Sequence, residues 1–450
     1  MRKVGRTAAA AAVLLGLVAA ACGDDSKEDT AATTAAAGAT TAAGAATTAA
    51  GAATTAAGAA ACGDAAKNEA SAPGITKDAI TVVLVTSLTG PAASTFVDTA
   101  DGVKARFGVE NAKGGVCGRK LNVEVIDDAS NPGNMTTALQ QAVETKKGFA
   151  ILGYTSFLYG GYRYTVDNKI PVLGAAFDGP EWGQAGNENL FTYAPQDPGY
   201  PATTTEGLFL KSIGVTQVAG VAYGNSPSSI ASIKTMAVSA KAAGVKADYL
   251  NLSFPFGGTD FTATVLEMKK VNADAAICSC VQSSISAMST ALKQAGMTNT
   301  KFIGYTGYDQ NTLDNPTVKA AAEGGYFRTS VVPYELGEAP GKALLEALKT
   351  YANDKGGIPS FGKQGGYLTA DLFIAGLKAA GQNPTRDSYM KALRGVKGYN
   401  AGGVLSYSID MADFGKLPAQ SCGYYVQLKD GKFVPGNKIC GTTIPNSNQA

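Results

Sequence analysis

No histidine occurs anywhere in the 450 residues. That absence removes Ser-His-Asp triads, imidazole metal sites and the usual proton shuttle of neutral pH. The chain also lacks a G-x-S-x-G elbow and a G-x-x-x-x-G-K-S/T phosphate loop. The commonest hydrolase and nucleotide-hydrolysing chemistries therefore have no residues to run on. Neither sign of charge dominates, with 38 Lys and Arg against 36 Asp and Glu. Arg2, Lys3 and Arg6 lie in the first six residues, and setting them aside leaves 35 against 36. So balanced a chain offers no basic stripe to neutralise phosphates, which argues against a nucleic-acid partner. Tryptophan is nearly absent too, with Trp182 alone. The expectation is a chain with no catalytic centre, no metal and no cofactor.

What is present begins with a targeting signal. "MRKVGR" supplies cations and "AAAAAVLLGLVAAA" (Ala8 to Ala21) an apolar core, too short for a membrane span of roughly 20 residues. Small residues then lead to Cys22, and "VAAAC" resembles the bacterial lipobox, although Ala19 stands where leucine is commonest. The resemblance implies cleavage before Cys22 and acylation of that cysteine. An ordinary secretory peptide cut nearby is the alternative. On either reading residues 1–21 are a signal peptide and the mature chain works outside the cytoplasm. An acylated terminus would hold it on the membrane surface without spanning it. Next comes "TTAAGAATTAAGAATTAAGAA", whose seven-residue period is marked by Gly44, Gly51 and Gly58. Seven is also the coiled-coil period, but the repeat holds no Leu, Ile, Val or Met to form a seam. Residues 22–74 are thus expected to be an acylated cysteine followed by a flexible spacer.

Seven cysteines fit an exported chain. With Cys22 given to lipid, Cys62, Cys117, Cys278, Cys280, Cys422 and Cys440 remain. Cys422 and Cys440 flank "GYYVQLKDGKFVPGNKI", two short strands around the turn "KDGK". A disulfide there would contribute roughly 3 kcal/mol in the chain-entropy picture. Cys62 with Cys117 is a second candidate pair, tying the end of the spacer to the folded part. Cys278 and Cys280 stand two apart in a strand pattern, which sets their Cα atoms about 6.6 Å apart, near the limit for a bridge. They read as two buried thiols acting as small hydrophobes.

From Ile75 the pattern alternates strand and helix. "ITVVLVTSL", "LNVEVIDD", "FAILGYTS" and "IPVLGAAF" are short apolar runs. Between the second and third, Met135, Ala138, Leu139, Ala142 and Val143 form one helical face, with Asn131 as N-cap and Pro132 in the first turn. After "FTYAPQDPGY" the rhythm restarts with "VTQVAGVAYG", "ADYLNLSF", "ADAAICSC" and "TKFIGYTG". Such alternation implies α/β architecture: two doubly wound lobes with mostly parallel sheets and a cleft between them. Ligands of open α/β sheets sit beyond the carboxyl ends of the strands. Those ends carry "TSLTGP", "GYTSF", "GAAFD", "AYGNS" and "GYTGYD". One end also carries Asp127 and Asp128, which taken alone suit a general acid/base pair, two metal ligands or scaffolding.

In order and spacing these pieces resemble the type I periplasmic binding proteins, in the branched-chain amino-acid-binding branch that serves ABC importers. The likeness runs from about Ile75 to Phe433 through "SLTGP", "NAKGGVCGRKLNVEVIDDASNP", "FAILGYTSF", "KIPVLGAA" and "GGTDFTATVLEMKKVNADAAI". It implies lobe 1 at 75–198, lobe 2 at 199–326, a return to lobe 1 at 327–408 and to lobe 2 at 409–450, through a multi-strand hinge. It makes Asp127 and Asp128 scaffold, closing a strand and helping to cap the next helix through its dipole. The family's ligand serine falls at Ser156, or at Phe157 because the loop is about two residues short, and Ser87 of "SLTGP" joins it. Ala176, Phe177 and Asp178 occupy the next contact loop. In the second lobe the family's tyrosines fall near Ser228, with Tyr223 five residues earlier, and near Val281, beside Gln282. Its acidic partner for a ligand ammonium falls at Thr306, so a simple amino acid is in doubt unless Asp178 or Asp309 substitutes. Tyr154, Phe157, Phe177, Tyr223, Tyr305 and Tyr308 bring rings to the strand ends, where they suit a planar or extended ligand or simply pack beneath the loops. Trp182 reads as a lobe-surface anchor. The implied function is a lipid-anchored solute-binding protein that delivers a small organic ligand to ABC permease subunits. The alternative is a ligand sensor of the same fold.

Overall fold

The computed structural model describes residues 62–194, 201–416, 420–445 and 447. The signal segment, Cys22 and the heptad repeat lie outside the described residues.

The first sheet holds β1 (Ala79–Thr86), β2 (Lys120–Asp127), β3 (Ile151–Gly153), β4 (Val172–Gly174) and β5 (Leu190–Thr192), all parallel in the order β2-β1-β3-β4-β5. Val82, Val83, Leu84 and Val85 are consecutive and fully buried. A strand buried on both alternating faces needs cover on both sides of its sheet. Part of that lobe comes from much later in the chain. The helices Thr99–Ala112 and Phe361–Ala380 pack closely where Gly102 faces the Lys363 carbonyl and Gly366 the Thr99 carbonyl. A Cβ at either glycine would collide with that backbone. The same helices are joined by Arg106, which meets Asp371 at 2.6 Å and Glu110 at 3.1 Å.

The second sheet holds β6 (Gln217–Tyr223), β7 (Lys246–Phe254), β8 (Ala275–Ser279), β9 (Lys301–Gly304), β10 (Tyr326–Thr329), β11 (Gln420–Lys429) and β12 (Lys432–Pro435). Its parallel part, β7-β6-β8-β9-β10, repeats the topology of the first sheet, and β11 and β12 extend it antiparallel. Strand β13 (Ile439–Thr442) pairs with β11. The β11–β12 turn is "KDGK", with Asp430 and Gly431 both at positive φ, as a two-residue hairpin requires. Strand β10 keeps the chain in this sheet through Thr329, where it pairs with Tyr424 of β11, slightly beyond the boundary read at 326. Residues 409–413 still rest on lobe 1, since the Met411 N–H donates to the Val396 carbonyl. The second sheet resumes at β11.

Residues 62–74 correct the expected extent of the spacer. They contain a short helical turn, Ala65–Lys67, capped by Asp64. Asn68 is buried and donates to the carbonyls of Lys77 and Cys117. The segment has almost no apolar pattern, so hydrogen bonds and the Cys62–Cys117 bridge hold it in place of a core.

Candidate functional site

At the carboxyl end of β2 the two carboxylates knit three loops together. Asp127 accepts the N–H groups of Leu88 at 2.8 Å, Thr89 at 3.2 Å and Ala129 at 2.8 Å, and the Thr89 hydroxyl at 2.6 Å. Burial raises its pKa, but these donors outweigh burial and hold it below the usual carboxylate value. Asp128 is fully buried and accepts the Ser87 hydroxyl at 2.7 Å, the Ser130 N–H at 2.8 Å and the Thr155 hydroxyl. Burial raises its pKa against those bonds. Neither carboxylate caps the following helical segment. Asn131 does that, accepting the Gly133 N–H. The helix-dipole account is therefore corrected to one of loop-to-loop hydrogen bonding.

Above these loops, a cavity of about 500 Å³ lies between the two lobes. Tyr154, Ser156, Ala176 and Phe177 line it from the first lobe, and Tyr223, Ser228, Thr306 and Tyr308 from the second. The rings form a cluster. Phe177 stacks on Phe96 at 5.6 Å and meets Tyr154 edge-on at 5.1 Å and Phe361 at 5.6 Å. Opposite them, Tyr223 lies 4.5 Å from Phe256. Thr306 borders the cavity as well, but its hydroxyl is buried away from it, without a partner among the described residues.

Other expected contacts are corrected. Ser87 is fully buried with its hydroxyl committed to Asp128. Phe157 is buried, and its ring packs on Phe256 at 5.1 Å instead of lining the cavity. Asp178 turns into the protein and accepts the Trp182 indole N–H at 2.7 Å. Burial beside Glu181 pushes its pKa well up. Trp182 is a core residue, 1% exposed, and not a surface anchor. Asp309 is buried and caps the helix Gln310–Asp314 through the Thr312 N–H. Gln282 also misses the cavity lining and serves as a cross-lobe tie. Its N–H donates to the Thr95 hydroxyl at 3.0 Å and its side chain to Thr312 at 3.1 Å.

The cysteines pair as Cys62–Cys117, Cys422–Cys440 and Cys278–Cys280. The last pair corrects the free-thiol reading. Strand β8 ends at Ser279, so Cys280 leaves the extended geometry and the Cα atoms close to 5.3 Å. Cys280 then borders the cavity.

Sequence reasoning missed the charged end of the cavity. Arg328, on β10, donates to the Glu206 carboxylate at 3.3 Å and lies over the Tyr305 ring at 5.8 Å. Burial raises the Glu206 pKa, opposed by Arg328 and by the Tyr425 and Tyr305 hydroxyls. Nothing local marks this pair, because its members are 122 residues apart. Among the described residues, no cluster of three metal-ligating side chains occurs, and no helix is long and apolar enough to cross a membrane.

A family model described as periplasmic binding protein matches residues 79–432. The Leu/Ile/Val-binding protein homolog 3 of Brucella melitensis biotype 1 is 26% identical over 365 residues, which covers 79% of this chain and 93% of that protein. The leucine-binding protein LivK of Thermotoga maritima superposes with a TM-score of 0.67 at 19% identity, covering 80% of this chain and 98% of that one. An ABC transporter solute-binding protein from R. palustris, solved with benzoate, gives 0.66 at 17% identity, covering 82% and 98%.

Proposed function

Because the chain belongs to the type I periplasmic binding proteins, in the branch of the Leu/Ile/Val-binding proteins, we propose that it is the solute receptor of an ABC importer. It would capture a small organic ligand between its lobes and deliver it to the permease subunits. The single observation that carries this reading is the cavity of about 500 Å³, within the range of small-molecule sites and walled by both lobes. A ligand there bridges the lobes, so its binding energy favours the closed form that a permease can recognise. Tyr154, Ala176, Phe177, Thr306, Tyr223 and Tyr308 would wall an apolar or planar body, with Ser156 and Ser228 offering hydroxyls. The relative solved with benzoate and the relative named for leucine bracket the ligand class: an organic acid, an amino acid or an amide. Acylated Cys22 would hold the protein on the outer face of the cell membrane, with the Ala/Thr/Gly repeat as spacer.

A thermal-shift screen of amino acids, amides, aromatic acids and small polyols tests the proposal. A true ligand at 100 times its Kd stabilises by about 2.7 kcal/mol, and silence across the whole panel would count against it. For the anchor, Cys22→Ala should release the protein from membranes. A variant that stays fully membrane-bound refutes that part.

A further inference from the structure

The two charged groups in the described lining of the cavity, Arg328 and Glu206, are not equivalent. The Arg328 side chain is 35% exposed and that of Glu206 6%. Both residues line the cavity, and of the two Arg328 is the accessible one while the Glu206 carboxylate is buried against it. Of the five N–H donors of an arginine, one meets Glu206, and no other hydrogen bond of this side chain is made among the described residues. Tyr407 borders the same end. The strand-end loop 305–308 continues the lining from this pair. Tyr305 lies under the guanidinium at 5.8 Å, and Thr306 and Tyr308 border the cavity further along, the Tyr308 ring packed on Phe433 and Tyr334 and its hydroxyl donating to Glu335.

We propose that the Arg328 end of the cavity is a recognition point for the carboxylate of a monoanionic organic acid whose apolar body lies among the rings. This rests on the solute-receptor reading and specifies its ligand class. A guanidinium fork matches a carboxylate in geometry and charge. One negative charge fits and two do not, because with Glu206 protonated the guanidinium has a single positive charge to pair and a dianion would leave a charge unpaired in a low-dielectric site. Glu206 supports this arrangement. Burial has raised its pKa, so beside an incoming anion it can take up a proton instead of repelling it.

Calorimetry with 3-phenylpropanoate, 3-phenylpropanamide and phenyl phosphate tests the proposal on the folded, exported chain. The wild type should prefer the acid to both others. Arg328→Gln combined with Glu206→Gln removes both charges without stranding a buried carboxylate. It should weaken the acid about 10- to 100-fold and leave the amide within about twofold. Glu206→Gln alone should bind the acid at least as well as the wild type. Should the double variant not fold, Arg328→Lys keeps the charge, loses the fork and should weaken the acid about tenfold. Unchanged acid affinity in the folded charge variants, equal losses for acid and amide, preference for the phosphate, or no binding of any probe to the wild type each overturns the proposal. Binding of another solute, untouched by the Arg328 changes, would leave the solute-receptor reading standing while sinking this one.

Discussion

The N–H of Gln282, at the start of a helix in the second lobe, donates to the hydroxyl of Thr95 in the first lobe at 3.0 Å. It is one of several bonds that cross the cleft. Tyr159 donates its hydroxyl to the Asn225 carbonyl at 3.0 Å, and Ser94 meets Ser283 at 3.4 Å. A hydrogen bond of this kind contributes about 1 kcal/mol net. It favours closure without touching the ligand. Tyr159 does not line the cavity, so Tyr159→Phe probes closure alone. The variant should bind its ligand about two- to tenfold more weakly. Its ligand-bound radius by X-ray scattering should match that of the wild type. Identical affinities would show that the bond does not bias the lobes.

The strand-end loops should titrate. Asp127 has a folded pKa below its unfolded value, so its contribution is present above the unfolded pKa and is lost as pH falls through the folded one. Asp128 has the opposite sign. Its raised pKa means that burial disfavours its charge, and its ionisation subtracts stability as pH rises. Asp127→Asn should therefore flatten the acid side of the stability profile measured by urea unfolding. An unchanged acid limb in that variant would show that Asp127 is not the group being lost.

Arg119 fixes the place where the N-terminal segment joins the first lobe. Its guanidinium is fully buried and donates to the carbonyls of Thr76 at 2.8 Å, Glu69 at 2.9 Å and Gln382, and to the Asn383 side chain at 2.7 Å. Arg119→Met strands those acceptors. It should cost about 3 kcal/mol or more in a denaturant titration. Limited proteolysis should then cut within residues 62–74 once Cys62→Ser also removes the bridge to Cys117. Resistance to cleavage in the double variant would place the anchoring elsewhere.

The strands were legible because each is a short apolar run ending in a turn, and the repeat of that rhythm announced two similar sheets. The strand-end loops were legible for the same reason. Which way each loop side chain points was not. Ala176 sits at φ 55°, a left-handed conformation that favours glycine. On either side of the following bend, Phe177 lines the cavity while Asp178 goes under it to Trp182. No pattern in "GAAFD" fixes that choice. Phe361, Arg328 and Glu206 were illegible for a different reason. They reach the cavity from segments that sit far apart in the chain, and none lies in a motif.

The ligand should not depend on a free ammonium. Thr306 stands where the family resemblance placed an acidic residue, and its hydroxyl is unpartnered. Asp178 and Asp309, the two candidates to replace that charge, are both buried in internal hydrogen bonds. Among the described residues lining the cavity, Glu206 is the one carboxylate, and it is buried against Arg328. An ammonium brought into this cavity would lose its water without gaining a free counter-charge, an unfavourable exchange. Leucine and 4-methylpentanoate differ at that group alone. Calorimetry should find the deaminated acid bound as well as leucine or better, whereas a site built for an amino acid loses several kcal/mol when its carboxylate is left unpaired. Tight leucine binding that persists in Glu206→Gln would sink the prediction, because the ammonium would then be held by groups that the cavity wall does not reveal.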